Sequence, residues 1–354
     1  MIAINGNEKV LVCPLGWGLG HATRVVPVIE YLQQKGCKVL VGADQNIIDF
    51  LKPRFPNAEF TLFPSLKVRL SKSKIQIFAL VRIAIKLLLL TNRERKQVKQ
   101  IVSKFEIDLV ISDNRYGLYN SAKASILITH QLWVQFPWPF KWAEPIGRWY
   151  IKRYAERYTQ CWVPDNPNGF KLSGNLSQPK IVPRNSLCVG LLSRFHKMNI
   201  PSLPYTCNVV AIISGPPPQR ELFEQNLVNL SNSTKIRMLI IQGLPYGKHK
   251  GRVVGKATLV PHLPDNEFIK VVKSAKMIIC RSGYSTIMDL VSINRSALLV
   301  PTPGQTEQEY LAKHLAEKGL FSSCRQSEMK NITVQKLESL PKSLKDVNFH
   351  FFSP

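Results

Sequence analysis

The chain has 354 residues, 45% of them hydrophobic, and a formal net charge of +25. That hydrophobic content fills two cores and excludes a disordered chain, while the length exceeds one ordinary domain. The charge favours polyanionic partners (phosphorylated substrates, anionic lipid surfaces or nucleic acid) without choosing among them. It is spread along the chain: residues 1–190 hold 27 Lys/Arg against 12 Asp/Glu, and the remainder 21 against 11. Seven cysteines include no C-x-x-C pair, and some, such as Cys13 and Cys280, sit in apolar runs. They read as reduced, buried thiols of a cytoplasmic protein, and no basic-then-apolar leader opens the chain.

In chain order, Val10–Cys13 is the first predicted strand. It opens onto Gly16-Trp17-Gly18-Leu19-Gly20-His21 and a helix over Ala22–Lys35. A strand at Cys37–Gly42, a helix at Gln45–Lys52 and a strand at Phe60–Phe63 follow. Residues 75–90 are the longest apolar stretch, interrupted by Gln76, Arg82 and Lys86 and flanked by cations. It is too short and too charged to span a bilayer. With Arg82 and Lys86 on one face, it is either a membrane-association helix on an anionic surface or a buried helix whose cations snorkel. A charged helix continues to about Lys104; strands then follow at Asp108–Ser112, ending in Asp113, and at Ser125–Thr129, ending in His130. Residues 131–160 are crowded with aromatics, some for the core and some for an acceptor-facing or membrane-facing loop.

The proline-bearing segment Pro179–Pro204 reads as an interdomain link. Beyond it come strands at Asn208–Ile213, Met238–Gln242, Thr258–Val260, Met277–Cys280 and Ala297–Val300. The strand ending at Cys280 breaks into Arg281-Ser282-Gly283-Tyr284-Ser285, with a helix predicted from Thr286 and Asp289 three positions in. A strand that ends at a helix N-terminus favours phosphate, because unpaired amides and the helix dipole converge there. Strands alternating with helices argue for an α/β protein of two doubly wound parallel sheets, whose ligands collect at the C-terminal strand ends. The expected domains are 1–190 and 205–325, with a tail at 326–354 that packs back on the first.

Glycine-rich strand-to-helix turns in both halves, with Gly18-Leu19-Gly20-His21, Pro261-His262-Leu263, Cys280-Arg281-Ser282-Gly283 and Gln308-Glu309-Tyr310, resemble the GT-B glycosyltransferases. The resemblance is strongest to the MurG-type UDP-N-acetylglucosamine transferases of glycosyltransferase family 28, over Val260–Leu320. The N-terminal tetrad also looks like that of sugar-nucleotide hydrolases of nonulosonic acid synthesis. The resemblance implies two Rossmann-like domains facing a cleft, the first on the acceptor side and the second binding nucleotide-sugar. It further implies that Ser282, Gly283 and the following amides of Tyr284, Ser285 and Thr286 hold the donor diphosphate, with Arg281 and Arg24 as available cations. Gly18 and Gly20 of the first glycine loop and Ser214-Gly215 near the diphosphate join them, although Pro216, Pro217 and Pro218 remove three amide donors. Asp289, where the family has glutamate, would hold the ribose, the backbone of His262 and Leu263 the uracil edge, and Gln305, Gln308 and Glu309 the sugar. Glu309 stands where the family has a second glutamine, which leaves the sugar open.

His21 is the expected base, with a cleft role in phosphate binding as the alternative; imidazole is the side chain suited to proton transfer near neutrality. Asp113 is a base, the partner that orients His21, or a turn residue, and His130 shares that status. No D-x-D motif or His/Asp/Glu cluster at ligand spacing is present, so no metal or other cofactor is expected. The leading expectation is an inverting, metal-independent transfer from a UDP-sugar to a membrane-associated or glycan acceptor by a cytoplasmic, peripheral enzyme. A hydrolase or epimerase on the same fold, or a non-catalytic partner of a membrane transferase, are the alternatives. No nucleic-acid module is legible, so nucleic acid is not an expected partner.

Overall fold

The computed structural model describes all residues except 1, 3, 66–76, 121–122, 137–139, 180, 199–206, 246–250, 345–346 and 353–354, and only the backbone over 77–90. The side chains of Arg82 and Lys86, with Trp138, Pro201 and Pro204, lie outside the described residues. Two compact units emerge: Met1–Leu192 with Phe349–Pro354, and Ser193–Asn348.

In unit 1, β1 (Lys9–Cys13), α1 (Leu19–Gln34), β2 (Lys38–Ala43), α2 (Gln45–Leu51) and β3 (Glu59–Leu62) alternate as read. The apolar stretch and its charged sequel form one helix, α3 (Ile77–Phe105), rather than two. Then come β4 (Leu109–Asp113), β5 (Ala124–Ile128), α4 (Glu144–Ala155), β6 (Gln160–Val163) and β7 (Ser186–Cys188). The sheet is parallel in the order β3-β2-β1-β4-β5-β6-β7. Val10 to Val12 and Val110 to Ile111 are fully buried because covered parallel strands are apolar on both faces. Strand order reverses between β1 and β4, so the loops leaving these two strands diverge and open a crevice at their C-terminal ends. Buried Glu94 on α3 accepts from Arg115 Nε at 2.8 Å, which fastens that helix beside the loop after β4.

Unit 2 repeats the plan with β8 (Cys207–Ile212), α5 (Gln219–Thr234), β9 (Met238–Ile241), β10 (Arg252–Val254), β11 (Ala257–Val260), α6 (Asp265–Lys273), β12 (Ala275–Cys280), α7 (Tyr284–Ser292), β13 (Leu298–Leu299), α8 (Thr306–Glu317), β14 (Ser322–Ser323) and α9 (Val334–Glu338). Its order, β10-β11-β9-β8-β12-β13-β14, reverses between β8 and β12. Among the described strands of this sheet only β10 runs antiparallel, on an edge.

Two boundaries differ from the sequence reading. The supposed link contains β7, which adds to the sheet beside β6, and the units divide at Leu192/Ser193. Of the expected tail, Met329, Ile332 and Leu337 sit in the core of unit 2, because their apolar side chains cover the sheet there. The chain from Phe349 onward belongs to unit 1: Leu191 N donates to His350 O at 2.7 Å, and Phe352 N to Leu191 O at 3.1 Å.

Candidate active site

In unit 1 the candidate catalytic residues gather at the reversal point. Helix α1 begins at Leu19, not Ala22, so His21 stands in its first turn rather than at the end of a loop. Gly18 makes that early start possible. Its φ of +140°, closed to residues with a Cβ, turns the chain directly from strand exit into helix. One turn along, Arg24 is 1% exposed. Asp113 closes β4 and is fully buried; His130 follows β5 and is 4% exposed.

These four residues form one network. His21 Nδ1 lies 2.7 Å from Asp113 Oδ2. Arg24 donates through Nη2 to Asp113 Oδ1, and its Nη1 lies 3.0 Å from His130 Nδ1. Nη2 also approaches His21 Nδ1 to 3.0 Å. Charge decides the tautomers. A guanidinium only donates, so His130 Nδ1 must accept, and the proton of a neutral His130 sits on Nε2. For His21, a lone pair on Nδ1 would face a carboxylate oxygen at 2.7 Å and repel it. Nδ1 therefore carries the proton and donates it to Asp113, which leaves the lone pair on Nε2. Burial pushes the Asp113 carboxyl up, but the charges of Arg24 and His21 and their hydrogen bonds outweigh it, holding it below its ordinary value of 3.8. Asp113 is thus an ionised orienting partner of His21, and Arg24, expected as an available cation, is committed to Asp113 and His130.

In unit 2 the exits of β8 and β12 lie side by side, since Ile212 pairs with Cys280. Ser214 and Gly215, the latter at φ +95°, leave β8. Ser282 and Gly283 leave β12, and α7 starts at Tyr284 with Gly283 as its N-cap, two residues earlier than read. Ser282 Oγ donates to Gln308 O at 2.8 Å, tying this loop to α8. Gln308 Oε1 accepts from Thr302 N, and Glu309 Oε1 from Gly304 N, each at 2.9 Å. A glutamine at 309 would accept from Gly304 equally well. Gln305 is the N-cap of α8.

Two donor-side expectations change. The Arg281 side chain is 1% exposed and donates to the carbonyls of Val300, Pro301 and Gln219 at 3.1–3.2 Å, stacked 4.0 Å over Phe223. Burial lowers its pKa to about 9, and its charge serves the loop backbone rather than a ligand. Asp289 is the sixth residue of α7, where a start at Thr286 would have made it the fourth, because the helix starts early. Its carboxylate accepts from Ser193 Oγ at 2.8 Å and from Arg194 Nε at 3.2 Å, while Arg194 Nη1 reaches Asp265 at 2.6 Å. Burial pushes the Asp289 carboxyl up, and Arg194 and Ser193 restrain it. Neither Ser193 nor Arg194 was singled out from sequence; the only signal was a cation within the presumed link. His262 and Leu263 lie between β11 and α6, where burial, aided by Arg194, lowers the His262 pKa.

Residues 262–350 match the glycosyltransferase family 28 C-terminal domain. Over 354 aligned positions the chain is 26% identical to a UDP-N-acetylglucosamine--N-acetylmuramyl-(pentapeptide) pyrophosphoryl-undecaprenol N-acetylglucosamine transferase of Pasteurella multocida, covering 94% of this chain and 88% of that protein. Among solved structures, MurG of Acinetobacter baumannii superposes with a TM-score of 0.52 at 17% identity, over 94% of this chain and 89% of that one. The calicheamicin glycosyltransferase CalG4 superposes with a TM-score of 0.61 at 13% identity, over 94% and 90%.

Proposed function

We infer that this chain, a glycosyltransferase of the GT-B fold with a family 28 C-terminal domain, moves a hexose or N-acetylhexosamine from a UDP-sugar to a membrane-associated, lipid-linked or glycan acceptor. The observation that carries the mechanism is the 2.7 Å contact of His21 Nδ1 with Asp113. It leaves Nε2 as a base at the strand-order reversal of unit 1. His21 Nε2 takes the proton of the acceptor hydroxyl as that oxygen bonds to the anomeric carbon. The bond from that carbon to the diphosphate breaks, and UDP leaves with the electron pair. Attack opposite the leaving group inverts the anomeric centre. The imidazolium so formed is stabilised by the Asp113 carboxylate.

On unit 2 the charge developing on the diphosphate is met by the first amides of α7, reached through Ser282 and Gly283, and by the Ser214-Gly215 turn. In this reading those donors replace a metal ion as leaving-group stabilisers. Asp289 accepts from the ribose hydroxyls while keeping Ser193 and Arg194. Because Gln308 Oε1 is held by Thr302 N, sugar recognition falls to its Nε2 donors. Among the described residues no helix is long and apolar enough to cross a membrane.

Calorimetry with UDP, GDP, dTDP and CMP, followed by UDP-sugars with and without lipid extract, tests the reading. Selective UDP binding, with UDP release only when lipid is present, is the expected result. Release without acceptor would make the protein a hydrolase. Absence of nucleotide binding would leave a non-catalytic partner of a transferase.

A further inference from the structure

Strands β3, β2 and β1 run parallel side by side, so the chain leaves all three at one end of the unit 1 sheet. Asp44 follows β2 directly and is the N-cap of α2. An aspartate there ordinarily accepts from the first amides of its own helix. This one makes no such bond: its two carboxylate oxygens take the Ser65 amide instead, at 3.1 and 3.2 Å. Ser65, beyond β3, accepts the Gly16 amide on its hydroxyl at 3.0 Å. A Cβ at Gly16 would stand 1.8 Å from Asp44 Oδ2, so only glycine lets the carboxylate lie against the loop that leaves β1. The next residue, Trp17, is 38% exposed. The same loop runs on through Gly18 into the helical turn that carries His21.

An exposed indole beside a carboxylate suits one ligand chemistry. The C–H face of a pyranose stacks on the electron-rich face of an aromatic ring, and its hydroxyls donate to an anionic oxygen. A carboxylate has about four acceptor positions, of which one amide shared between two oxygens takes at most two. Because it only accepts, it bonds a hydroxyl and repels a phosphate or a carboxyl group. That sign matters on a chain of net charge +25, which elsewhere favours anions. The side chain turned from its own helix toward the β1 loop is an acid, so the ligand portion it meets is neutral and hydroxylated.

We propose that Trp17 and Asp44 form an acceptor subsite for a neutral pyranose, with the ring stacked on the indole and a ring hydroxyl donating to Asp44. The subsite deepens the proposed function and rests on it for one point, that the bound ring belongs to the acceptor. It makes that acceptor a glycan or a glycolipid, and not a lipid phosphate that carries no sugar.

The test is saturation-transfer difference NMR on the full chain without nucleotide. The probes are the methyl β-glycosides of glucose, galactose, mannose and N-acetylglucosamine, with farnesyl phosphate as a lipid phosphate lacking sugar. At least one glycoside should bind, with saturation strongest on the protons of one ring face, and farnesyl phosphate should not displace it. Trp17→Ser should weaken that glycoside about fivefold to tenfold, and Trp17→Phe less. Asp44→Asn keeps an acceptor oxygen for the Ser65 amide but loses the charge, and should weaken it about tenfold. Far-ultraviolet circular dichroism checks that each variant is folded. Failure of all four glycosides to bind, undiminished binding by Trp17→Ser, or displacement by farnesyl phosphate would overturn the proposal. UDP calorimetry on the same samples separates the subsite from the proposed function. UDP bound without any glycoside removes the subsite and keeps the transferase, whereas a glycoside bound without UDP keeps the sugar site and removes the transferase.

Discussion

Arg24 and Asp113 form a buried ion pair that also fixes two imidazoles, since Arg24 bonds Asp113 with one terminal nitrogen and approaches His130 with the other at 3.0 Å. Removing one partner of such a pair leaves an uncompensated buried charge, which costs about 3–5 kcal/mol. Arg24→Met should lose that much stability in urea. The pH dependence follows from the sign of the Asp113 shift. A carboxyl held below 3.8 in the folded state contributes stability that is present above that value and lost as pH falls through the lower folded value. Without Arg24, burial dominates and Asp113 takes up its proton at higher pH. The stability deficit of Arg24→Met should therefore shrink as pH falls, because protonation relieves the unpaired buried carboxylate in the variant and removes a stabilising ion pair in wild type, and a deficit independent of pH would remove Arg24 from the network.

His21→Ala should lower kcat by about 10²–10⁴-fold while UDP affinity, measured by calorimetry, stays unchanged, because the proposed function assigns the nucleotide to unit 2. Asp113→Asn removes the anion that holds the proton on Nδ1, so it should lower kcat without altering the KM for donor. Equal loss of kcat and donor affinity in either variant would contradict a base acting only on the acceptor hydroxyl.

Much of this was legible because strand exits are punctuated in sequence. The apolar runs ending at Cys13, Asp113, His130 and Cys280 each stop where the chain must leave a covered sheet, and glycine marks two of those exits. What was missed lacks such a pattern. β7 is three residues with alternating partial exposure, and β6 lies among aromatics, so neither stands out by periodicity. The burial of Arg24 and Arg281 was illegible for another reason. A lone arginine carries the same letter whether it faces solvent or three backbone carbonyls, and only tertiary contacts distinguish the two. Likewise, nothing in the spacing joins Ser193 and Arg194 to Asp289, about a hundred residues away.

That last contact makes a prediction of its own. In the proposed donor site Asp289 must be ionised to accept from two ribose hydroxyls; burial opposes ionisation, and Arg194 supports it. In Arg194→Met the carboxyl should rise further, so on lowering the pH UDP affinity should begin to fall at a higher pH than in wild type. Asp289→Ala should weaken UDP about tenfold or more at neutral pH, the value of hydrogen bonds to a charged acceptor. UDP titrations of both variants at several pH values check this. Identical pH profiles for Arg194→Met and wild type would show that Arg194 does not hold Asp289 ionised.

The C-terminal return to unit 1 buries one side chain deeply. Phe352 is 2% exposed and packs edge-on to Tyr31, with ring centres 5.7 Å apart, and against the fully buried Trp162 at 5.6 Å. The approach depends on Gly190, at φ +84°, where a Cβ would come within 2.8 Å of the Phe351 carbonyl carbon. Phe352→Ala removes the ring and leaves a cavity beside Trp162, at a cost of about 3–5 kcal/mol. Gly190→Ala combines an unfavourable φ with that backbone clash and should also destabilise, although every ring is retained. All six tryptophans fall between Trp17 and Trp162, so tryptophan fluorescence, excited selectively over tyrosine, reports unit 1 alone. Both variants should lower the fluorescence-detected urea midpoint while leaving the stoichiometry and affinity of UDP in native buffer unchanged. A fluorescence transition insensitive to Phe352→Ala would mean that the returning segment rests on unit 1 without stabilising it.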